Sequence, residues 1–410
     1  MTGTHQTAAF DVDAVRAQFP ALADGTAFFD GPGGSQTPIA VADAVRTAML
    51  APLANRGQVT AAARNAETIV VSCRAALADL LDVGPDEVIF GRSMTALTFD
   101  LARTLSAGWG PGDEVVVTRL DHDANVRPWV IAAAAVGATV HWVDFDATTS
   151  ELDVAAVAAQ VTDRTRLVAV TAASNLIGTM PDVRAIAELT HDAGALVYVD
   201  GVHYTAHGVV DVGALGADFY ACSPYKFLGP HCGVVAGRRD VLAELRPAKL
   251  VPSTDRIPER FELGTLPYEV MAGATAAVDF LADMTAATGS RRERLVASLE
   301  ALEAHEEALR GRLELGLAAL SGVTAHARAA RRTPTLLVTF EGRDAAEVSA
   351  TLAEQGVNAP AGSFYAYEAS RLLGLGDAGG LRIGLAPYTT TDEVDRLLRA
   401  LDDALVAPDT

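Results

Sequence analysis

Lysine is nearly absent from this chain. Of its 32 lysine and arginine residues only Lys226 and Lys249 are lysine, so chemistry that needs a side-chain amine has two places to use one. Aromatic residues make up 6%, which leaves a core filled mainly by Ala, Val and Leu. Cysteine is confined to Cys73, Cys222 and Cys232. They form neither a CxxC pair nor a disulfide framework, as expected of a cytoplasmic protein, each also reads as a small buried hydrophobe, and no metal is expected. The Ala-rich stretch from Trp129 to Val143 is broken by Gly137, Thr139 and His141, too short an apolar run to span a bilayer. The N-terminus lacks the basic, apolar, small-residue succession of a signal peptide. Positive charge is also in deficit: a net charge of −20 argues against a nucleic-acid or anionic membrane partner and leaves a small molecule as the expected one.

At 410 residues and 50% hydrophobic, the chain is long enough for two domains. From Glu87 to Cys222 helix and strand signals alternate. Strands are expected at Glu87–Phe90, Glu114–Val117, Thr139–Val143, Thr165–Val170, Leu196–Asp200 and Asp218–Cys222, with helices between them. Such alternation predicts an α/β fold with a mostly parallel sheet covered on both faces. Beyond Thr265 long amphipathic helices (Val270 to Met284, Arg292 to Leu320) lead into an α+β tail. The boundary is placed near residue 285, with a large domain over 20–285 and a small one over 286–410 joined by 1–19.

In parallel sheets ligands collect at the carboxyl ends of the strands. Ser93 to Thr95, Asp121 with His122, Asn175, Asp200 and Lys226 all fall just past a predicted strand. Lys226 enters a turn rich in Ser, Pro and Gly, where a partly desolvated amine loses basicity and can form a Schiff base with a carbonyl cofactor; a plain surface lysine fits that segment equally well. A pyridoxal phosphate site needs such a lysine, a carboxylate for the pyridine nitrogen, donors for the phosphate and a flat group over the ring. Asp200, ending an apolar strand, suits the carboxylate because burial there is costly without a cationic partner, although a strand-end Asp often caps a turn. Ser93-Met94-Thr95 opens a helix and offers free N–H groups to phosphate, or is simply an N-cap. Gly374 to Gly379 matches GxGxxG, but it precedes a strand instead of linking strand to helix, so the segment reads as a loop.

Five ordered motifs carry a resemblance. Asp121-His122-Asp123-Ala124-Asn125, Ser174 to Thr179, Val199-Asp200-Gly201-Val202-His203, Ser223-Pro224-Tyr225-Lys226 with Gly229-Pro230, and Arg260 to Thr265 together resemble the class V aminotransferases, fold type I pyridoxal phosphate enzymes, and within them the cysteine desulfurase and selenocysteine lyase branch. The resemblance runs from about residue 10 to 405. It implies a large domain with a mostly parallel seven-stranded sheet and a smaller α+β C-terminal domain. By the same resemblance Lys226 would be the Schiff-base lysine and α-proton shuttle, Asp200 the partner of the pyridine nitrogen and His122 the ring that stacks on the cofactor. Asn175 and His203, where relatives often carry Gln, would meet its oxygen side. Ser93, the Met94 N–H, Thr95, Ser223 and Tyr225, where relatives have His, would hold the phosphate. Thr265 would reach the phosphate of a neighbouring subunit, implying a homodimer, and Arg382 would grip the substrate carboxylate.

The chain departs from this pattern in the small-domain loop, where desulfurases carry a mobile cysteine. Here the loop reads Val357 to Tyr367, and no cysteine follows Cys232. Asn358 also stands near the place of an arginine in relatives. Phe364, Tyr365 and Tyr367 either line the substrate pocket or simply pack, with Tyr365 taken as substrate-binding. The expectation is a C–S β-lyase acting on cysteine or an S-substituted cysteine. Its competitors are desulfurase-like sulfur release, transamination, epimerisation and decarboxylation coupled to oxidative deamination. A non-catalytic pyridoxal phosphate scaffold is the alternative of another class.

Overall fold

The computed structural model describes residues 10–406; the reading of the extreme N-terminus as free of a signal pattern, and the part of 1–19 before residue 10, lie outside the described residues. Seven strands build the larger sheet. Their order is Val88–Gly91, Gly233–Gly237, Phe219–Cys222, Leu196–Asp200, Thr165–Thr171, Glu114–Thr118, Thr139–Val143. Gly233–Gly237 runs against both its neighbours, while the other adjacent pairs are parallel.

Alternating side chains of these strands feed two separate cores, as the two-residue period of a strand requires. Val116, Val168, Val170, Val197 and Val199 pack with Val70, Leu77 and Ile186 on one face. Val115, Val117, Leu167, Ala169 and Tyr198 pack with Leu97, Leu101 and Trp129 on the other. The central strands are buried along all but the first residue of Leu196–Asp200, which explains their apolar runs. Three-residue caps start the flanking helices: Thr60 Oγ1 accepts from the Ala63 N–H at 3.1 Å, and Asp182 accepts from Ala185 at 3.1 Å.

The smaller domain has a four-stranded antiparallel sheet, ordered Ala361–Gly362, Gly380–Gly384, Thr335–Phe340, Val323–Ala325. The 29-residue helix Arg291–Ala319, begun by a Ser290/Glu293 capping box, leads into it. A two-residue parallel pairing joins Ala27–Phe28 to Val357–Asn358. Arg16 near the start of the chain bonds Glu393 at 2.8 Å, so the N-terminal segment is fastened to the C-terminal helix Thr391–Val406. The Gly374 to Gly379 segment connects the helix Tyr367–Leu372 to the strand Gly380–Gly384, a helix-to-strand loop as read from its context. No helix among the described residues is long and apolar enough to cross a membrane.

Two features of this fold aim the site. Gly233 opens the reversed strand against the first turn of the helix Met94–Ser106; a Cβ there would stand 2.1 Å from the Met94 nitrogen, so only glycine permits the approach. Gly201, after the strand Leu196–Asp200, meets the Tyr220 ring as closely, at 1.9 Å for a hypothetical Cβ.

Candidate active site

Ten of the residues singled out in the sequence line one cavity at the carboxyl edge of the large sheet: Ser93, Met94, Thr95, His122, Asn175, Asp200, His203, Ser223, Tyr225 and Lys226. A wider outer chamber of about 620 Å³ shares Lys226, His122 and Asn175 with it and adds Tyr365 and Arg382 from the smaller domain. Thr265 is not in either. It is exposed on a loop anchored by the buried Arg74–Glu262 ion pair at 2.7 Å.

Lys226 ends the short turn that follows the strand Phe219–Cys222. Its Nζ donates to the Pro32 carbonyl, in the Gly-rich turn after Phe29, and sits 4.7 Å from the Tyr225 ring centroid. Burial, reinforced by the Arg382 charge and opposed by Asp200, brings the ammonium down to about 7. The amine is thus part neutral at neutral pH, the state a nucleophile or base requires.

Asp200 is 4% exposed and accepts the Val202 N–H at 2.9 Å. Burial lifts its carboxyl to about 6 in spite of that bond and of Lys226. The carboxylate therefore lacks a close cation, and a protonated ring nitrogen would supply one. Asp121 holds the neighbouring turn: it accepts from Thr118 and, at 2.7 Å, from Asn125, and burial raises it to about 8. The next residue, His122, accepts the Ala124 N–H on Nδ1 at 3.0 Å. Burial, with Lys226 adding, lowers it to about 4, so the cavity presents a neutral, flat imidazole. On the opposite wall Ser93 caps the helix Met94–Ser106, its Oγ accepting from Ala96 at 3.1 Å. The hydroxyl proton and the first-turn N–H groups remain for an anion.

Arg382 is 2% exposed in the middle of the strand Gly380–Gly384. Its Nη1 donates to the Asn175 carbonyl at 3.0 Å, and its carbon centre lies 3.7 Å from the Phe364 ring centroid. Arg382 Nε, Asn175 Oδ1 and Asp30 Oδ1 are buried without a hydrogen-bond partner. Unpaired polar atoms at one place mark a site that expects a polar ligand.

The aromatic loop divides its work. Phe364 braces Arg382, Tyr365 borders the outer chamber with its ring 5.6 Å from that of His122, and Tyr367 instead lies under Arg371 at 4.0 Å. Phe364 and Tyr365 hold left-handed φ values of 53° and 58°. Hydrogen bonds pin this strained pair: Asn175 Nδ2 to the Phe364 carbonyl at 2.9 Å, and the Asp123 N–H to the Tyr365 carbonyl at 2.8 Å. Glu368 completes the clamp with Arg119 at 2.6 Å and Arg127 at 3.0 Å.

Several contributors escaped the sequence reading. Asp30, Thr333 and Thr335 lie far from the motifs in the chain, and only the Gly-rich turn after Phe29 gave a local signal. His203, expected to face the cofactor's oxygen side, lines the cavity but places Nε2 against Thr333 and Thr335.

The donor set fits pyridoxal phosphate: an amine of lowered basicity, a buried carboxylate short of a cation, a neutral flat ring and a helix N-terminus around one cavity. Comparison with known proteins agrees. The family model described as aminotransferase class-V matches residues 27–397. The chain belongs to the class-V aminotransferase family. It is a pyridoxal-phosphate-dependent enzyme of the cysteine desulfurase-like kind. An aminotransferase-like protein of Gibberella zeae, FGM3, is 33% identical, over 97% of this chain and 100% of its own length. A probable cysteine desulfurase of Pseudomonas aeruginosa is 32% identical, over 95% and 97%. The crystal structure of the Escherichia coli cysteine desulfurase CsdA superposes with a TM-score of 0.86 at 29% identity, covering 97% of this chain and 99% of that one.

The thiols of this chain lie away from the site. Cys73, Cys222 and Cys232 are all buried, and burial pushes all three thiols up, that of Cys73 to about 12. None of the three lines either chamber of the site.

Proposed function

We propose that this class-V enzyme is a C–S β-lyase, converting cysteine or an S-substituted cysteine with water to pyruvate, ammonia and the free thiol. The observation that carries this reading is the lack of any cysteine in the site, because desulfuration needs a thiolate to take the sulfur. A loop pinned by Asn175, Asp123 and Glu368 stands at the corresponding place.

Pyridoxal phosphate, when bound, supplies the electron sink that acidifies the substrate's α-carbon. Lys226, with its lowered basicity, takes the α-proton. Asp200 keeps the ring nitrogen protonated by offering it the only charge partner that its burial tolerates. Arg382 fixes the α-carboxylate, which aligns the bond to be broken without help from a mobile side chain. The sulfur then leaves as a thiolate into the outer chamber, whose volume far exceeds a cysteine side chain, and takes a proton from water there.

Thr265, exposed beside Leu263, which is 62% exposed, is read as completing the phosphate site of a second copy, so the working form is a homodimer. The division into 20–285 and 286–410 with 1–19, and a cytoplasmic setting, belong to the same reading.

The test is product analysis of the cofactor-loaded protein with a set of S-substituted L-cysteines, beside Lys226→Ala. Pyruvate and thiol in equal amounts, lost in the variant, are expected. A keto acid, aldehyde or D-isomer that keeps the sulfur would sink the lyase reading, and an unchanged chromophore on adding amino acid would favour a scaffold.

A further inference from the structure

His203 is the cavity residue whose environment its own motif does not explain. It is 4% exposed, and its Nε2 lies 2.9 Å from Thr333 Oγ1, just before the strand Thr335–Phe340, and 3.1 Å from Thr335 Oγ1, at that strand's start. Two hydroxyls converge on one ring nitrogen. The one lone pair of a bare Nε2 takes a single hydroxyl proton, and an Nε2–H would likewise serve a single hydroxyl, so the tautomer turns on which hydroxyl has no other acceptor. Thr333 has a second acceptor in the Gly178 carbonyl, but at 3.4 Å it is the longer contact. Thr335 is fully buried, so its hydroxyl proton is served by Nε2.

We propose that Thr333 and Thr335 are positioning residues that hold His203 in the tautomer protonated on Nδ1, making this ring a fixed hydrogen-bond donor to the cofactor. The acceptor follows from the chemistry of pyridoxal phosphate. Asp200 would take its ring nitrogen and the helix N-terminus its phosphate, which would leave the phenolic oxygen for a donor on this wall. The proposal rests on cofactor binding and is independent of which bond the enzyme breaks.

The surroundings keep the ring neutral, as a tautomer lock requires. Burial and the nearby charges of His207, Arg382 and Lys226 hold its basicity well below the ordinary histidine value. His207 packs edge-on at 4.8 Å between ring centroids, and its Nδ1 contacts Glu306 at 2.9 Å. Asp200, three residues before His203, is a carboxylate lining the same cavity.

Histidine-selective 15N NMR of the holoenzyme, with His203→Gln to assign the signal, reads the tautomer directly. The expected pattern is a protonated Nδ1 and a bare Nε2. A protonated Nε2, or a doubly protonated ring, in the wild-type protein overturns the proposal. The T333V/T335V pair should move the pH midpoint of the bound cofactor's visible absorbance by about one unit, and T333S/T335S, which keeps the hydroxyls, should restore it. Placed on His203→Gln, whose amide donates without their help, T333V/T335V should move nothing; an equal shift there would show that the threonines act through packing and would also overturn it. A protein that takes up no cofactor at all would refute cofactor binding, while the NMR pattern would still report on the lock.

Discussion

Replacing Arg382 by lysine keeps a positive charge but removes the planar fork, and the structure sets the size of the effect. Burial lowers this guanidinium far below its usual value, to about 9, with Asp30 and Tyr225 opposing. Desolvation therefore weighs against the cation until a counter-charge arrives. A bound carboxylate relieves it, and the unpartnered Nε provides a donor beyond the one spent on Asn175. Lysine offers no paired donors and no flat face to set 3.7 Å above Phe364. Losing one charge-assisted hydrogen bond costs about 1.5–3 kcal/mol, so the Kd for an S-substituted L-cysteine should rise about tenfold to a hundredfold. The assay is titration of the cofactor-loaded protein followed by absorbance, run in parallel with the same amino acid as its carboxamide. The amide should bind poorly to the wild type and lose little more in Arg382→Lys, and the cofactor's own affinity should stay unchanged. An unchanged Kd for the acid, or an equal loss for acid and amide, would refute Arg382 as the carboxylate anchor.

Three further outcomes are expected. Because Lys226 is neutral only above about 7, the rate at which apoprotein takes up pyridoxal phosphate covalently should be about tenfold higher at pH 8 than at pH 6; a flat profile would contradict the lowered basicity. Gly233→Ala should lower stability by about 2 kcal/mol or more and weaken cofactor binding together, since its Cβ would press on the Met94 nitrogen; thermal melts with and without cofactor check this. Tyr365→Gly should leave stability within about 1 kcal/mol, because glycine accepts the φ of 58° freely while adding chain entropy. Its KM for bulky S-substituents should rise, and a drop in melting temperature with an unchanged KM would show that the ring is only packing.

Much of the site could be read from the chain because its residues obey a local rule. Asp200, Lys226, His122 and Asn175 each follow a strand in a parallel sheet, so locating the strands located the rim. The strand Gly233–Gly237 was missed, because three apolar residues between glycines carry too little pattern to be read as a strand. Ala27 to Asp30 reads as a brief strand, but its pairing with Val357–Asn358 was hidden, since a two-residue partner has no period to detect. Contacts across the fold are the harder class. Thr333 lies 130 residues from His203, and no local pattern links a threonine to a ring that distant. The left-handed pair at Phe364 and Tyr365 is likewise imposed by its clamps, as neither residue favours that conformation.

The central claim is that sulfur leaves the substrate without passing to a protein thiol. It is tested most directly by the ratio of pyruvate to alanine formed from L-cysteine by the cofactor-loaded enzyme. Pyruvate and sulfide with no alanine are expected, as no cysteine lines the site. Alanine accompanied by released sulfur would contradict it and restore desulfuration by another sulfur acceptor.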